Sequence, residues 1–435
     1  MDYQRQIQIF KDYFKSGEKD YSDFKLGVEF EHFVIDKDTL KTISYYGKDG
    51  VEESLRDLEA LGYKGVYEGE YVLGLEKGVK HITTEPGSQM ELSIDANFNI
   101  KELEDEYLDF LEDIIPILNK KNQALITTGY HPETKIDEIT LLPKKRYNFM
   151  FDYFKTKGTH AHNMMKGTAA LQVAIDYSSE EDYIKKFKIL NALTPVLYAI
   201  YENAYYFEGQ EAPMHNIRSF IWENCDKDRS GVVPSALDKD YDYESYAEYI
   251  LGGCPIFINK DGKDISAEGK LVKELLDPDN YTQAEIEHYL TMVFPDVRTK
   301  DFIEIRMMDS VPYPLNLSAL ALFKGLLYDG KNLDKLSEFT KGITVEEVEK
   351  TKDEMMEKGL AAELKGQSLL ETGKFLVELA KDGLDEGEKH YLRPLQNILE
   401  KGKSPYEITK DRAENGKKEA LQWCILNDIV EVNYE

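Results

Sequence analysis

Four stretches of this sequence alternate polar and apolar side chains with a period of two, the spacing of a β-strand whose two faces meet different surroundings. In Val28-Glu29-Phe30-Glu31-His32-Phe33-Val34, Glu29 and Glu31 share one face and Val28, Phe30 and Val34 the other. In Gln89–Ile94, Gln89, Glu91 and Ser93 oppose Met90, Leu92 and Ile94. In Thr168–Asp176, Thr168, Gln172 and Asp176 oppose Leu171, Val173 and Ile175; in Phe302–Met308, Glu304 and Arg306 oppose Ile303, Ile305 and Met307. Each taken alone reads as an ordinary half-buried antiparallel strand with one wet face. Together they constrain more, because Glu and Gln are poor residues for strand centres. If the strands are neighbours, Glu29, Glu31, Glu91 and Glu304 converge. Two like charges ~4 Å apart cost about 4 kcal/mol at an effective dielectric of ~20, so such a group needs protons or cations. An all-oxygen ligand set with no Cys or His cluster beside it selects Mg²⁺ or Mn²⁺ over Zn²⁺, and Mg²⁺ held by few carboxylates completes its shell with water and phosphate. A Mg·nucleotide site is the natural expectation.

Charge narrows the partners. The chain has 435 residues with 82 Asp+Glu against 54 Lys+Arg, a net charge of −28. That argues against a nucleic-acid backbone or an anionic membrane as the main partner, since both need a basic footprint, but not against a nucleotide, which needs only a local cationic pocket. Cys225, Cys254 and Cys424 are the only cysteines, and no CxxC occurs. A disulfide framework or structural zinc site is not expected. MDYQRQIQIF shows no secretory pattern, and the longest apolar stretch, Leu190–Tyr201, is interrupted by Thr194 and Pro195 and too short to span a bilayer. A cytoplasmic protein is expected.

No repeat or low-complexity linker divides the chain. Up to Tyr313 strand-like runs alternate with helices; from Pro314 the pattern is almost wholly helical and rich in Glu and Lys. The expected organisation is a catalytic body over 1–313, with a helical part over 314–435 packed on the same domain. Leu103, Tyr107, Leu111, Ile114 and Leu118 mark a helix over Glu102–Asn119. Ser178 with Glu181, and Thr282 with Glu285, stand at capping-box spacing before apolar-periodic runs.

No GxxxxGK[ST], GxGxxG after a strand, HExxH or GxSxG is present; Gly366 and Gly373-Lys374 come closest to a phosphate loop and have the wrong spacing. Nucleotide binding would then rest on metals and on arginine, which clamps carboxylates and phosphates in bidentate fashion. The candidates are Arg146, Arg218, Arg229, Arg298 and Arg306. Trp222 follows Arg218 by four residues, so a helix would put both on one face.

These motifs assemble into a known order. Gly27-Val28-Glu29-Phe30-Glu31-His32-Phe33 resembles the opening signature of the plant and proteobacterial type of glutamate–cysteine ligase, and Thr84-Glu85-Pro86-Gly87-Ser88-Gln89-Met90-Glu91-Leu92-Ser93 resembles that family's LEPGGQFELS element. Pro143–Met150, Met164-Met165, Thr168, Gln172-Val173, Arg218–Trp222, Asp226–Gly231, Phe294–Arg298, Glu304–Arg306 and Gly325–Asp329 follow in the family's order. The resemblance runs from about Leu26 to Tyr328, and more weakly through Ala380–Leu384. It implies an α+β fold: a glutamine-synthetase-like curved antiparallel sheet with surrounding helices and a helical C-terminal extension. It also implies ATP-dependent joining of the γ-carboxylate of L-glutamate to the amine of L-cysteine through γ-glutamyl phosphate, the first step of glutathione synthesis. By the same resemblance Glu29, Glu31, Glu85, Glu91 and Glu304 are the Mg²⁺ ligands, and Arg306, Arg229 and Arg298 stabilise the transferring phosphoryl group. Arg146, Arg218 and Trp222 hold the amino-acid substrates, with Thr168 and Gln172 on the strand beneath; Gln172 is alternatively placed on a metal. Phe257 stands where plant relatives carry Tyr, beside the thiol-bearing substrate, and a lost hydroxyl loosens cysteine selection. The cysteine pairs of plant relatives have no counterpart, so no thiol switch is expected, and the enzyme is expected as a monomer or homodimer. Two other readings remain open: a γ-glutamyl ligase with a different amine acceptor, and a non-catalytic nucleotide- or metal-binding relative.

Overall fold

A computed structural model describes residues 2–260 and 263–427. Among these residues nine strands form one antiparallel sheet: β1 (Leu26–Asp36), β2 (Lys64–Glu68), β3 (Tyr71–Lys77), β4 (Lys80–Thr84), β5 (Met90–Asn97), β6 (Gln123–Ile126), β7 (Leu171–Ile175), and the short strands Val297–Thr299 and Ile303–Ile305. Their order is Val297–Thr299, Ile303–Ile305, β7, β1, β5, β4, β3, β2, with β6 paired to the far end of β1. The four alternating segments are thus consecutive neighbours at the centre of the sheet, which is what convergence of their polar faces requires.

The ladders are shorter than the alternation predicts at two places. Thr168 caps the helix Ala161–Gly167 instead of entering β7, and Arg306–Met308 leaves its strand, with Met308 O accepting from Leu171 N at 3.1 Å.

The apolar face carries Val28, Phe30, Leu92, Val173 and Ile305, all buried. The helix Ile100–Lys120 packs there through its predicted stripe, with the Tyr107 ring 4.4 Å from Phe30. Leu317–Leu327 is buried on every side, wedged between the sheet and the helix Leu369–Asp382, which explains why its sequence is apolar all round. His32, on the apolar side of β1, is satisfied by Met90 O and the Tyr107 hydroxyl at 3.1 and 3.0 Å; burial pushes it down to about 4, so it is a neutral core residue.

Thr282 caps Gln283–Thr291 as its spacing predicts, its hydroxyl accepting from Glu285 N. The other cap falls one residue later than expected. Ser179 accepts from Asp182 N, while Ser178 donates to the Asp182 carboxylate. Residues 428–435, the end of the helical part, lie outside the described residues.

Candidate active site

Pairing register decides which side chains meet on the polar face. Glu29 lies opposite Ser93 on β5 and Gln172 on β7, and Glu31 lies directly opposite Glu91. Glu304 lies opposite Ala174 on one side and Arg298 on the other. Glu85 enters from the β4–β5 turn, where Ser88 N donates to Glu85 O at 2.8 Å and Ser88 takes φ +70°. Gly87 is needed in that turn, because a Cβ there would sit 2.2 Å from Lys166 O.

Against this face lies a cavity of about 260 Å³. Glu29, Glu31, Glu85, Glu91, Thr168, Gln172, Phe257, Arg146, Arg218, Trp222, Arg298 and Arg306 all line it. Arg218 and Trp222 do so from one face of the helix Ile217–Glu223, as their spacing predicts. Of the residues expected at the site, Glu304 and Arg229 do not line this cavity. A second cavity of about 240 Å³ shares Glu29 and Gln172 with the first and is lined further by Glu304, Lys19, Lys25 and Phe302.

The acids divide into two electrostatic classes. Withdrawal from solvent raises Glu29, and nearby Glu304 adds to it against Lys300, Arg306 and Arg298. Glu31 is pushed up to about 7, by desolvation and then by Glu85. Glu91 stands well above the carboxylate range, through desolvation and then the charges of Glu29, Glu85 and Glu31. Glu304 is the reverse: burial would raise it, but Arg298, Lys300 and Arg306 together hold it well below that range. One of its oxygens accepts from Arg298 Nε at 2.6 Å and Arg306 Nη1 at 2.9 Å, the other from Lys300 Nζ at 3.2 Å.

These surroundings test the metal expectation. Glu29, Glu31 and Glu91 are hard-oxygen donors short of positive charge, which suits Mg²⁺ or Mn²⁺. Among the described residues no three acids of this cavity bring ligand atoms within 4.8 Å of one another. Glu304, also expected among the ligands, meets three cations in this structure: Arg298, Lys300 and Arg306 all reach its carboxylate.

Arg229 is likewise engaged. Its Nε donates to Asp226 at 2.7 Å, Nη1 to Met292 O at 2.6 Å, and Nη2 to the Tyr153 hydroxyl and Cys254 O at 2.6 and 2.9 Å. Its donors are spent on binding the cavity wall together. Arg229→Ala would take the closest cation from buried Asp226, 4% exposed, leaving it Lys157 at 3.8 Å and the Tyr153 hydroxyl; about 3 kcal/mol of stability, the low end for a broken buried pair, should be lost, read as a lowered melting temperature. A melting temperature equal to wild type would refute this bracing role.

The structure adds residues that the sequence alone does not assign. The Tyr147 hydroxyl donates to Glu85 Oε1 at 3.2 Å and packs under Arg146. Gln89 ties the acidic turn to the opposite wall, accepting from Gly87 N at 2.7 Å and donating to Thr168 O at 3.0 Å. Met150, Met164, Met165 and Met292 join Phe257 and Phe294 in an apolar wall. Tyr147 and the methionines at 150, 164 and 165 stand within the family-like motifs; Met292 carries no sequence signal.

A central antiparallel sheet that turns a row of carboxylates and arginines toward one cavity is an architecture found in an ATP-dependent class of ligases. The solved glutamate–cysteine ligase of Francisella tularensis in complex with AMP has this fold: it superposes with a TM-score of 0.57 over 92% of this chain and 87% of that one, at 11% identity. Residues 25–422 match the family Glutamate-cysteine ligase family 2 (GCS2). The chloroplastic glutamate–cysteine ligase of Arabidopsis thaliana is 30% identical over 383 residues, 86% of this chain and 72% of that protein. Ligase B of Oryza sativa subsp. japonica, also chloroplastic, is 30% identical over 381 residues, covering 86% and 76%. The chain belongs to glutamate–cysteine ligase family 2.

Proposed function

We propose that this enzyme joins L-glutamate to L-cysteine at the expense of ATP, through γ-glutamyl phosphate. A free carboxylate is a poor acyl donor because it is anionic and lacks a leaving group. An oxygen of the γ-carboxylate attacks the γ-phosphorus of ATP and ADP departs. The cysteine amine then attacks the activated carbon, loses a proton, and phosphate leaves with the former carboxylate oxygen. The protein supplies position and charge rather than covalent chemistry.

The observation that carries this reading is the cavity itself, which acids raised by burial and arginines line together. Glu29, Glu31, Glu85 and Glu91 would hold Mg²⁺, which when bound neutralises phosphate oxygens. Arg306, fixed by Glu304 and by Gln172 Oε1, faces the transferring phosphoryl group with Arg298 beside it. Arg218 donates to Met307 O and Arg306 O, both at 3.0 Å, and its buried Nε has no partner among the described residues, leaving a donor for a substrate carboxylate. Arg146 is exposed at the cavity rim, placed to meet an amino acid on entry. The two cavities share Glu29 and Gln172, so nucleotide in one and amino acids in the other would meet at that wall. The methionine-rich wall with Phe257 accepts a soft, apolar acceptor side chain such as the cysteine thiol. A cytoplasmic setting is our reading for this chain, supported by its three unpaired cysteines.

Product identification tests the assignment. Incubation with ATP, Mg²⁺, glutamate and a mixture of amino acids should yield γ-glutamylcysteine by mass spectrometry. Another γ-glutamyl amide as the main product would keep the chemistry and move the acceptor; ADP release that glutamate does not stimulate would remove the ligase reading.

Ionisation gives a second test. Ion binding must displace the protons that Glu31, at about 7, and Glu91 hold in the free protein. Mg²⁺ binding should therefore weaken as pH falls through neutrality and release protons to buffer. Calorimetry in buffers of different ionisation enthalpy measures this, and pH-independent Mg²⁺ affinity between about pH 6 and 8 would contradict it.

A further inference from the structure

We propose that Glu202, His215 and Glu407 form a separate metal site, one that takes a borderline divalent transition ion such as Zn²⁺ and fastens the substrate-binding helix to the C-terminal region. The ligand atoms of these three residues lie within 4.8 Å of one another, a convergence the acids of the ligase cavity do not reach. They come from three distant parts of the chain: the end of the core helix Thr194–Ile200, the start of Ile217–Glu223, and the helix Pro405–Arg412. His215 Nδ1 is 3.1 Å from both oxygens of Glu202 and 3.9 Å from Glu407 Oε1.

Each ligand is held by something else. Asn216 N donates to Glu202 Oε1 at 2.6 Å, and Ser404 N to Glu407 Oε2 at 2.8 Å. The imidazole is clamped on its faces. The Tyr406 ring centroid lies 4.3 Å away, and Gly359, at φ +54°, approaches so closely that a Cβ would fall 2.9 Å from His215 Nδ1. These contacts fix the orientation of the ring. His215 also borders a cavity of about 850 Å³ that carries Glu223, Asp353 and Glu357, giving an ion an acidic entry and water to complete its shell.

One imidazole with two carboxylates favours Zn²⁺ or a neighbouring transition ion over Mg²⁺, which prefers oxygen alone. The ion would take the place of the proton that His215 Nδ1 now shares with Glu202, and its charge would balance both carboxylates. The consequence reaches the ligase centre through chain connectivity. His215 precedes Arg218 by three residues, and the helix that follows presents Arg218 and Trp222 to the cavity. The site is structural: it positions that helix and touches no substrate.

The test uses the whole chain, freed of metal and then given Zn²⁺ under excess Mg²⁺, which occupies the ligase centre. Equilibrium dialysis should find a single equivalent of Zn²⁺ on wild type and on Glu31→Gln. Affinity should fall at least tenfold in His215→Gln and in Glu407→Gln. Glu407 is 24% exposed, so its variant should fold, and retained Mg²⁺ binding checks that it has. Co²⁺ in place of Zn²⁺ should give visible absorption bands that the Glu407 variant lacks. Zn²⁺ held equally by wild type and Glu407→Gln, or no Zn²⁺ held by wild type, would overturn the proposal. Either result leaves the ligase reading intact, because that reading is judged by product.

Discussion

Glu31→Gln should lower kcat about 10²–10³-fold, the scale on which removing one preorganised electrostatic group acts, while leaving the metal-free fold at least as stable as wild type. The two halves of this expectation have one cause. Glu31 sits opposite Glu91 and is pushed up to about 7, so in the free protein it spends much of its time protonated, and Gln matches that form in shape. Its oxygens accept from Ala170 N at 2.7 Å and Gln172 Nε2 at 3.1 Å. A Gln at position 31 can keep the first bond through its carbonyl, but then turns its NH₂ toward the Gln172 NH₂. Gln172 must flip, and Arg306 loses the acceptor it now has in Gln172 Oε1. The substitution thus removes an ion ligand and loosens the arginine at the phosphoryl position. Turnover of ATP in the presence of glutamate, with melting curves taken without Mg²⁺, measures both halves. Wild-type turnover would remove Glu31 from the metal centre.

Arg306→Met should be the more damaging change. It takes one of three cations from buried Glu304 and, on the proposed mechanism, the group that meets the transferring phosphoryl. Loss of an arginine in that role costs about 10³–10⁵ in kcat. Stripping a buried pair of one partner costs about 3–5 kcal/mol, and the low end applies because Arg298 and Lys300 remain on Glu304. A second substitution separates chemistry from folding. In Arg306→Lys a cation can stay beside Glu304, so the melting temperature should recover much of its loss, while turnover stays low because the planar bidentate group is gone. Recovery of turnover in Arg306→Lys would reduce Arg306 to a source of charge for Glu304.

What the sequence made legible was the polar face. Period-two alternation assigns Glu29, Glu31, Glu91, Gln172 and Glu304 to a face without knowledge of the fold, and the observed pairing makes their strands neighbours. What it could not show was how each acid is compensated. Glu304 resembles Glu29 in the linear pattern, yet Arg298 reaches it by cross-strand register and Lys300 and Arg306 from either end of the same short strand. Arg229 points toward phosphate in the sequence because it is an arginine within a family-like motif. Its bonds to Asp226, Tyr153, Met292 and Cys254 depend on segments that only tertiary folding assembles. The same is true of Glu202, His215 and Glu407, whose separation in sequence hides their meeting. Helix caps show the finer limit: with serines at 178 and 179, spacing alone points to the first, and the carboxylate of Asp182 selects the second.

The central claim is that this cavity activates a carboxylate by phosphorylation, and isotope transfer tests it most directly. Glutamate labelled with ¹⁸O in its γ-carboxylate is incubated with the enzyme, ATP, Mg²⁺ and cysteine, and the phosphate released is examined by mass spectrometry. Each phosphate should carry a single labelled oxygen, because the carboxylate oxygen that attacks the γ-phosphorus leaves with it. Phosphate free of label, formed alongside γ-glutamylcysteine, would contradict the acyl-phosphate route and with it the roles of Glu31 and Arg306 in phosphoryl transfer.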